Sequence, residues 1–469
     1  MRGVPSPDTA TLTALVDWYG GWLDHRRQTL QVPGVQVAVR WRGELLLSAA
    51  YGSAELSGPT PLSTSHLFRI ASHSKTFTAV AVMQLMQSGA LRLDDTVGRW
   101  LPSLMDAAPD VAARTLRQLL SHGGGIIRDG HDGDHWILGH PFPDPEQLLA
   151  IASDEAAVLP SDSAFKYSNI AYGLLGLVIA AASGSTYQDY VVEHIVSRLG
   201  LADTGPEYDP ARAGEYAAGY TARSLGRRLA VEHVDTAALA AATGFFATAA
   251  DLTAYFSAHL PGDDRLLGEG AKRAMRRQEW AVDDGGYGLG LILSTIGGRS
   301  LFGHSGGYPG HITRSLVDPE DGLVVSVLTN AVDGPAAEFA DAFFTMLALA
   351  TDPAAERPTP PAGVDPTRFT GRFASLWGVT DIVWLGGRLL SLHPDQADPA
   401  KDATPLAVRD EATLVVTQRS GYGSPGELAH GHFAADGTLD SLRLGSTTHL
   451  PLTAWRSRAQ GWDGISAPE

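Results

Sequence analysis

The 469-residue chain contains no cysteine. That absence excludes disulfides, cysteine nucleophiles and thiolate-held metals together. Basic residues are also few, with 35 Lys and Arg against 52 Asp and Glu, for a formal net charge of −17. A surface of that sign repels phosphate backbones, so a nucleic-acid partner is not expected. Long apolar runs are missing too. The longest, YGLLGLVIAAASG from Tyr172, is too short to span a bilayer, and no membrane partner is expected. The opening MRGVPSPDTATLTALVDWYG has no apolar segment after a basic start. No signal peptide is therefore read there, and a cytoplasmic location is the expectation.

What is present reads as an ordinary soluble composition, 44% hydrophobic and 19% charged, in a chain long enough for two or three domains. The stretch TLTALVDWYGGWLDHR has helical spacing, and VQVAVR with GELLLSAAYG forms a hairpin around Arg42-Gly43. A helical block follows. SKTFTAVAVMQLMQSGAL closes at Gly89, TLRQLL is a shorter run, and NIAYGLLGLVIAAAS has Ser168 or Asn169 as N-cap. In TAADLTAYFSAHL, Thr248 and Asp251 stand at capping-box spacing. Strand signals return over Tyr287 to Ser294, then across turns at Gly297-Gly298 and Pro319 to Gly322, and a helix starts at Pro335. This order predicts an α+β fold: an antiparallel sheet covered by helices, with an all-helical region inserted. The expected division is 1–350 as the main domain, 351–366 as a proline-rich linker, and 367–469 as a small antiparallel β-barrel with Gly-Gly and Asp-Gly turns.

Two motifs suggest an α/β-hydrolase. Gly303-His304-Ser305-Gly306-Gly307 fits G-x-S-x-G, and SHGGGI at 121–126 imitates an oxyanion loop. The first needs a helix after its serine, but Tyr308-Pro309-Gly310 and a hairpin follow. The second needs a preceding strand, but TLRQLL is helical. The chain also lacks an alternating βαβ pattern.

A better nucleophile is Ser72, in Ser72-His73-Ser74-Lys75 at the head of a periodic helix. Residues three apart share a helix face, so Lys75 can reach the Ser72 hydroxyl. The helix N-terminus favours a developing oxyanion. A buried lysine with a lowered pKa can take the serine proton or tune a second base. Tyr167-Ser168-Asn169 is Y-x-N before another helix. Tyr167 as phenolate could be that base, and Asn169 can orient a lysine and donate to a substrate amide. His304-Ser305-Gly306 is H-x-G on a strand, where glycine lets a substrate approach the strand edge.

The order S-x-x-K, Y-x-N, H-x-G resembles the serine β-lactamase and penicillin-recognising hydrolase family, in its class C-like branch of class C β-lactamases, D-alanyl-D-alanine carboxypeptidases, D-aminopeptidases and carboxylesterases. The wording of GALRLDDTVGRWLP, TLRQLLSHGGGI, YSNIAYGLLGLVI and ATGFFATAADLTAYF is similar as well. The likeness covers about residues 30 to 350, and the tail resembles the lipocalin-like barrel of some members. The resemblance implies Ser72 as the acylated nucleophile and Lys75 with Tyr167 as the general base. Asn169 would hold Lys75 and the substrate. His304, Ser305, Gly306 and Gly307 would line the substrate cleft, with the Ser72 and Gly307 backbone N–H groups as the oxyanion hole. It implies no cofactor and a small-molecule ester, amide or peptide as partner.

One departure stands out. His304 occupies the place of the lysine in K-T-G, so a fixed cation for a substrate carboxylate is missing. This weakens a dedicated β-lactamase and leaves esterase, amidase and D-amino-acid peptidase readings open. Acyl transfer to an amine, as in peptide cyclisation, and a non-catalytic binding protein on the same fold are the alternatives. Residues His131, Asp132, Asp134, His135 and His140 contain metal-ligand types, but this stretch reads as a cleft-lining loop, with Trp136 as an aromatic wall, and no metal is expected.

Overall fold

The computed structural model describes residues 5–460 apart from 59, 155, 224–225, 284 and 418–423; residues 461–469 of the expected C-terminal domain lie outside this set. By its contacts the chain forms two compact units, residues 30–340 and residues 1–29 with 341–469.

In the unit of residues 30–340, the early hairpin is β1 (Gly34–Trp41) and β2 (Glu44–Glu55), followed by β3 (Thr60–Pro61). The late strands are β4 (Trp280–Val282), β5 (Gly285–Tyr287), β6 (Ile292–Ile296), β7 (Arg299–Tyr308), β8 (His311–Asp318) and β9 (Leu323–Thr329). Among the described residues they form one nine-stranded sheet, ordered β3-β2-β1-β9-β8-β7-β6-β5-β4. The seam between early and late chain is the antiparallel β1–β9 pair, from Val35 opposite Thr329 to Trp41 opposite Leu323. Both strands are rich in Val and Leu and almost wholly buried, as strands covered on both faces must be.

Helix α1 (Thr9–Leu30) precedes the first strand, and the helices between the two sets of strands include α2 (Ser74–Gln87), α3 (Leu116–Leu120), α4 (Asn169–Ser183) and α5 (Ala249–Ser257). Helix α5 packs over β1 and β9. Helix α2 buries most of its circumference, and its Phe77 ring stacks on Phe245 at 4.2 Å and Tyr255 at 3.8 Å. A helix apolar all round belongs in a core, not on a surface. No single helix among the described residues is long and apolar enough to cross a membrane.

One local expectation is narrowed and two are corrected. Of the two candidate caps for α4, Ser168 is the cap: its Oγ accepts from Ala171 N at 2.9 Å and donates to Ile127 O at 2.6 Å. The capping box of α5 is half formed. Thr248 Oγ1 accepts from Asp251 N at 3.2 Å, but the Asp251 carboxylate turns away to Asp203 N and Thr204 Oγ1. The strand expected over Tyr287 to Ser294 is broken between β5 and β6. There Leu289 and Leu291 turn into the core, Leu289 N donates to Met275 O and Gly290 N to Leu120 O. Gly290, at φ +73°, lies so close to α2 that a Cβ would meet Ala79 Cβ at 2.5 Å, so tertiary packing overrides the strand pattern.

In the second unit, β10 (Gly371–Ser375), β11 (Gly378–Leu385), β12 (Arg388–Leu392), β13 (Thr404–Val408), β14 (Thr413–Val416), β15 (Leu428–Phe433), β16 (Leu439–Leu444) and β17 (Thr447–Pro451) close into a barrel. Closure removes the exposed edges. Its core is Phe369, Phe373, Ile382, Leu389, Leu406, Leu414, Val416, Ala429, Leu439 and Leu442. The turn Gly386-Gly387 has φ +59° and +76°, the double left-handed geometry of a two-residue hairpin. Helix α1 joins this unit through polar contacts: Trp18 Nε1 donates to Asp381 Oδ2 at 2.9 Å and Trp22 Nε1 to Pro394 O at 3.0 Å.

Candidate active site

Ser72 lies in a 3-10 turn, Ala71–His73, that runs directly into α2. The residue before it, Ala71, is held at φ +47°. A left-handed alanine costs roughly 1–2 kcal/mol, so the surrounding contacts must fix this turn. They do so on both sides. Arg69, fully buried, pairs with Glu207 at 2.8 Å and stacks over the Tyr308 ring at 4.5 Å. Beyond the serine, Ser74 Oγ donates to Ala71 O at 2.6 Å and accepts from Phe245 N at 3.0 Å. His73 bonds through Nε2 to Ser315 Oγ at 2.9 Å, and burial lowers its pKa to about 3; it is a neutral strut under the turn.

Two groups converge on the Ser72 hydroxyl. Lys75 Nζ lies 3.2 Å from Ser72 Oγ, and Tyr167 OH donates to the same oxygen at 2.8 Å. Lys75 Nζ also donates to Asn169 Oδ1 at 2.7 Å and to Ala242 O at 2.9 Å. The expected Ser72, Lys75, Tyr167 and Asn169 are thus one cluster, from residues some hundred positions apart. Burial pushes the Lys75 ammonium well below its ordinary pKa, with Asp129 opposing and Arg128 assisting. Burial pushes the Tyr167 phenol well above its ordinary value, against the Ser72 hydrogen bond. The two shifts move apart: a neutral amine and a neutral phenol are the favoured forms.

The Y-x-N segment is clamped by His122, one of the SHGGGI residues. Its carbonyl accepts from Lys166 N at 2.9 Å and its Nδ1 from Ser168 N at 3.1 Å. Its ring lies 4.2 Å from that of Tyr167. That stretch therefore braces the Tyr167 segment.

The H-x-G motif is on β7 and is followed by the β7–β8 hairpin, Tyr308 opposite His311. No helix begins at Ser305, which rules out the elbow geometry for it. Ser305 is half-buried and sits opposite Arg314. His304 is buried and engaged at both ring nitrogens: Nδ1 donates to Ser305 O at 2.7 Å, so Nε2 accepts from Tyr287 OH at 3.2 Å. Burial, and then His73, keep its pKa well below the ordinary histidine value. It is a neutral side chain tied to Tyr287, a residue the motifs did not single out. The space beside Gly306 is filled by protein: a Cβ there would meet Ile70 O at 2.1 Å. Its glycine lets β7 pass close to Ile70, just before the Ser72 turn. Gly307 is exposed, with nothing nearer to a Cβ than Ile312 Cδ1 at 3.6 Å. Strand β6 pairs with β7 only as far as Gly303, so beyond it the β7 edge on that side has no strand partner among the described residues.

Sequence reasoning also passed over Arg128 and Asp129, at the start of the histidine-containing loop. Asp129 Oδ1 accepts from Asn169 Nδ2 at 2.6 Å and Trp136 Nε1 at 2.9 Å. The Arg128 guanidinium lies 5.2 Å from the centre of the Tyr167 ring. In the rest of that loop, His140 and Asp132 pair at 3.1 Å on the surface, and His135 is buried against Phe142 at 4.6 Å. Among the described residues no three His, Asp or Glu side chains group as metal ligands would.

Comparisons with known proteins give the chain a family and a fold. The β-lactamase family profile matches residues 21–350. Penicillin-binding protein 4* of Bacillus subtilis (strain 168) is 29% identical over 293 residues, 58% of this chain and 63% of that protein; the chain thus spans less than two thirds of that relative's length. Among solved structures, SurE superposes with a TM-score of 0.61 at 26% identity, covering 94% of this chain and 100% of that one. A D-stereospecific amidohydrolase from Streptomyces sp. gives a TM-score of 0.61 at 25% identity, covering 72% and 99%. With a family match over most of its length and a serine, lysine and tyrosine converging on one oxygen, the chain belongs to the β-lactamase family of serine hydrolases.

Proposed function

We propose that the protein hydrolyses an amide or ester bond through a Ser72 acyl-enzyme, and that its substrates are small amides or peptides containing a D-amino acid. The observation that carries the mechanism is the hydrogen-bond set of Lys75. Asn169 Oδ1 and Ala242 O can only accept, and they take two N–H bonds. A neutral amine then has one lone pair left, directed at Ser72 Oγ 3.2 Å away. Tyr167 donates to the same oxygen, which leaves the serine hydrogen free to point at Lys75.

On this reading Ser72 Oγ attacks the substrate carbonyl as its proton passes to Lys75 Nζ. The carbonyl oxygen becomes an oxyanion held by the backbone N–H groups of Ser72 and Gly307; such donors are typically worth about 3 kcal/mol each in barrier lowering. The C–N or C–O bond breaks as Tyr167 OH gives its proton to the leaving group. Lys75 then returns its proton to the Tyr167 oxygen, and both groups are neutral again. Water then repeats the sequence on the acyl-enzyme and releases the acid. Tyr167 serves as a proton donor and relay, since burial disfavours its phenolate.

The substrate class rests on two supports. His304 is neutral and turned to Tyr287, so it supplies no fixed charge for a carboxylate beside the scissile bond. The solved D-stereospecific amidohydrolase shares the fold. A panel of D- and L-amino-acid amides, p-nitrophenyl esters and nitrocefin tests this. Turnover of D-amides above L-amides, with nitrocefin slow, is expected. Fast nitrocefin turnover, or preference for L-amides, overturns the substrate assignment.

A further inference from the structure

The Asn169 amide stands between two groups of opposite demand. Lys75 needs an acceptor and meets Asn169 Oδ1 at 2.7 Å; Asp129 needs a donor and meets Asn169 Nδ2 at 2.6 Å. A flipped amide would face an N–H of Lys75 with its own NH2 and the Asp129 carboxylate with its oxygen, both repulsive. Asp129 is itself pinned, by Trp136 Nε1 at 2.9 Å and by Arg128 Nε at 3.2 Å. The segment is seated on the head of α4 by three successive residues. Ile127 O accepts from Ser168 Oγ, Arg128 O from Asn169 N at 2.8 Å and from Ile170 N at 3.2 Å, and Asp129 Oδ1 from the Asn169 side chain. Asp129 is only 16% exposed, whereas its partner Arg128 is 62% exposed, so water screens the arginine charge more than the carboxylate.

We propose that Asp129 is the positioning residue of the Ser72–Lys75 pair: it locks the Asn169 amide with its oxygen toward Lys75 and keeps a carboxylate one side chain away from that lysine. The proposal rests on the Ser72 acyl-enzyme reading. The lock decides where the Lys75 lone pair points. With Asn169 Oδ1 fixed, an N–H of Lys75 is committed to it and the lone pair is left for the Ser72 proton. The charge acts on the same lysine. The other titratable or charged groups facing Lys75 are Tyr167 and Tyr172, whose rings lie 4.8 and 5.5 Å away, Arg128, and the neutral rings of His122 and His304. None of these supplies a negative charge while the phenols stay protonated, so Asp129 is the group that opposes the fall in Lys75 basicity caused by burial.

Replacing Asp129 separates the two actions. Asp129→Asn keeps an oxygen to accept from Asn169 and Trp136 but removes the charge. Asp129→Ala removes both. The probe is a fluorophosphonate, with its second-order rate of reaction at Ser72 measured from pH 5 to 9 and the labelled peptide identified by mass. In Asp129→Asn the acid limb of the rate, where Lys75 becomes protonated, should move down by about half a pH unit or more, with the plateau within about threefold of wild type. In Asp129→Ala the plateau should fall at least about tenfold. An unmoved acid limb in Asp129→Asn, or an Asp129→Ala plateau within about twofold of wild type, overturns the assignment while Ser72 is still labelled in the parent protein. Absence of label on Ser72 in the parent overturns the acyl-enzyme reading itself, and this one with it. If Asp129→Ala does not fold, the limb of Asp129→Asn still decides.

Discussion

Tyr167 OH donates to Ser72 Oγ at 2.8 Å while the face of its ring is turned to Lys75 Nζ, 4.8 Å from the ring centre. One side chain thus touches both the Ser72 hydroxyl and the Lys75 amine. It has the position of a relay, and its buried phenol has the protonation state of a donor.

Lys75 should not be replaceable by another cation. A guanidinium stays protonated in a protein and has no lone pair to offer. Lys75→Arg is therefore expected to lose as much acylation rate as Lys75→Met, about a thousandfold in each. Stopped-flow measurement of acylation by an activated ester checks this. A Lys75→Arg enzyme within about tenfold of wild type would mean that the charge, not the lone pair, is what Ser72 uses.

Adjacent glycines of β7 should behave differently. A Cβ at Gly306 meets backbone, Ile70 O at 2.1 Å, whereas at Gly307 its nearest neighbour is a flexible Ile312 methyl at 3.6 Å. Gly306→Ala should destabilise by about 2 kcal/mol or more, through the strand being pushed off Ile70 and the Ser72 turn. Gly307→Ala should unfold within about 0.5 kcal/mol of the parent. Urea midpoints measure both; equal losses would contradict the close approach of β7 to Ile70.

Stability should fall steeply with acidification. Burial lowers the pKa of His73 and His259 from 6.5 to about 3 and of His233 to about 4, and lowers His122, His304 and His311 well below the same value. Below pH 6.5 the unfolded chain takes up protons that these folded rings refuse, so unfolding gains about 1.4 kcal/mol per pH unit for each fully refused proton, until pH reaches the folded value. Glu207 and Asp251, raised by burial, act in the opposite sense at lower pH, being protonated earlier in the folded state. The urea midpoint should therefore drop between pH 7 and 5. A midpoint unchanged over that range would contradict neutral buried histidines.

The elements of the site were legible where local chemistry spoke for itself. Ser72 and Lys75 share a helix face, and Tyr167-Ser168-Asn169 precedes a helix with a capping serine, so spacing and caps revealed them. What the sequence withheld depended on distant chain. Tyr287 meets His304 across the sheet where Gly288 to Leu291 leaves the strand pattern to pack on α2, and no local pattern announces that. Asp129 reads as one acid in a polar loop until the docking of that loop on α4 places it on Asn169. Gly306 offered a glycine in a strand, which fits either a ligand or a close backbone neighbour; only the fold puts Ile70 there. The barrel was easier, because its glycine turns and short alternating strands are local signals.

The most direct test is which serine is acylated. Intact-mass analysis and peptide mapping after treatment with a fluorophosphonate should place a single adduct on Ser72. Ser72→Ala should abolish both label and turnover, and Ser305→Ala should retain both. A label on Ser305, or turnover surviving in Ser72→Ala, would contradict the account.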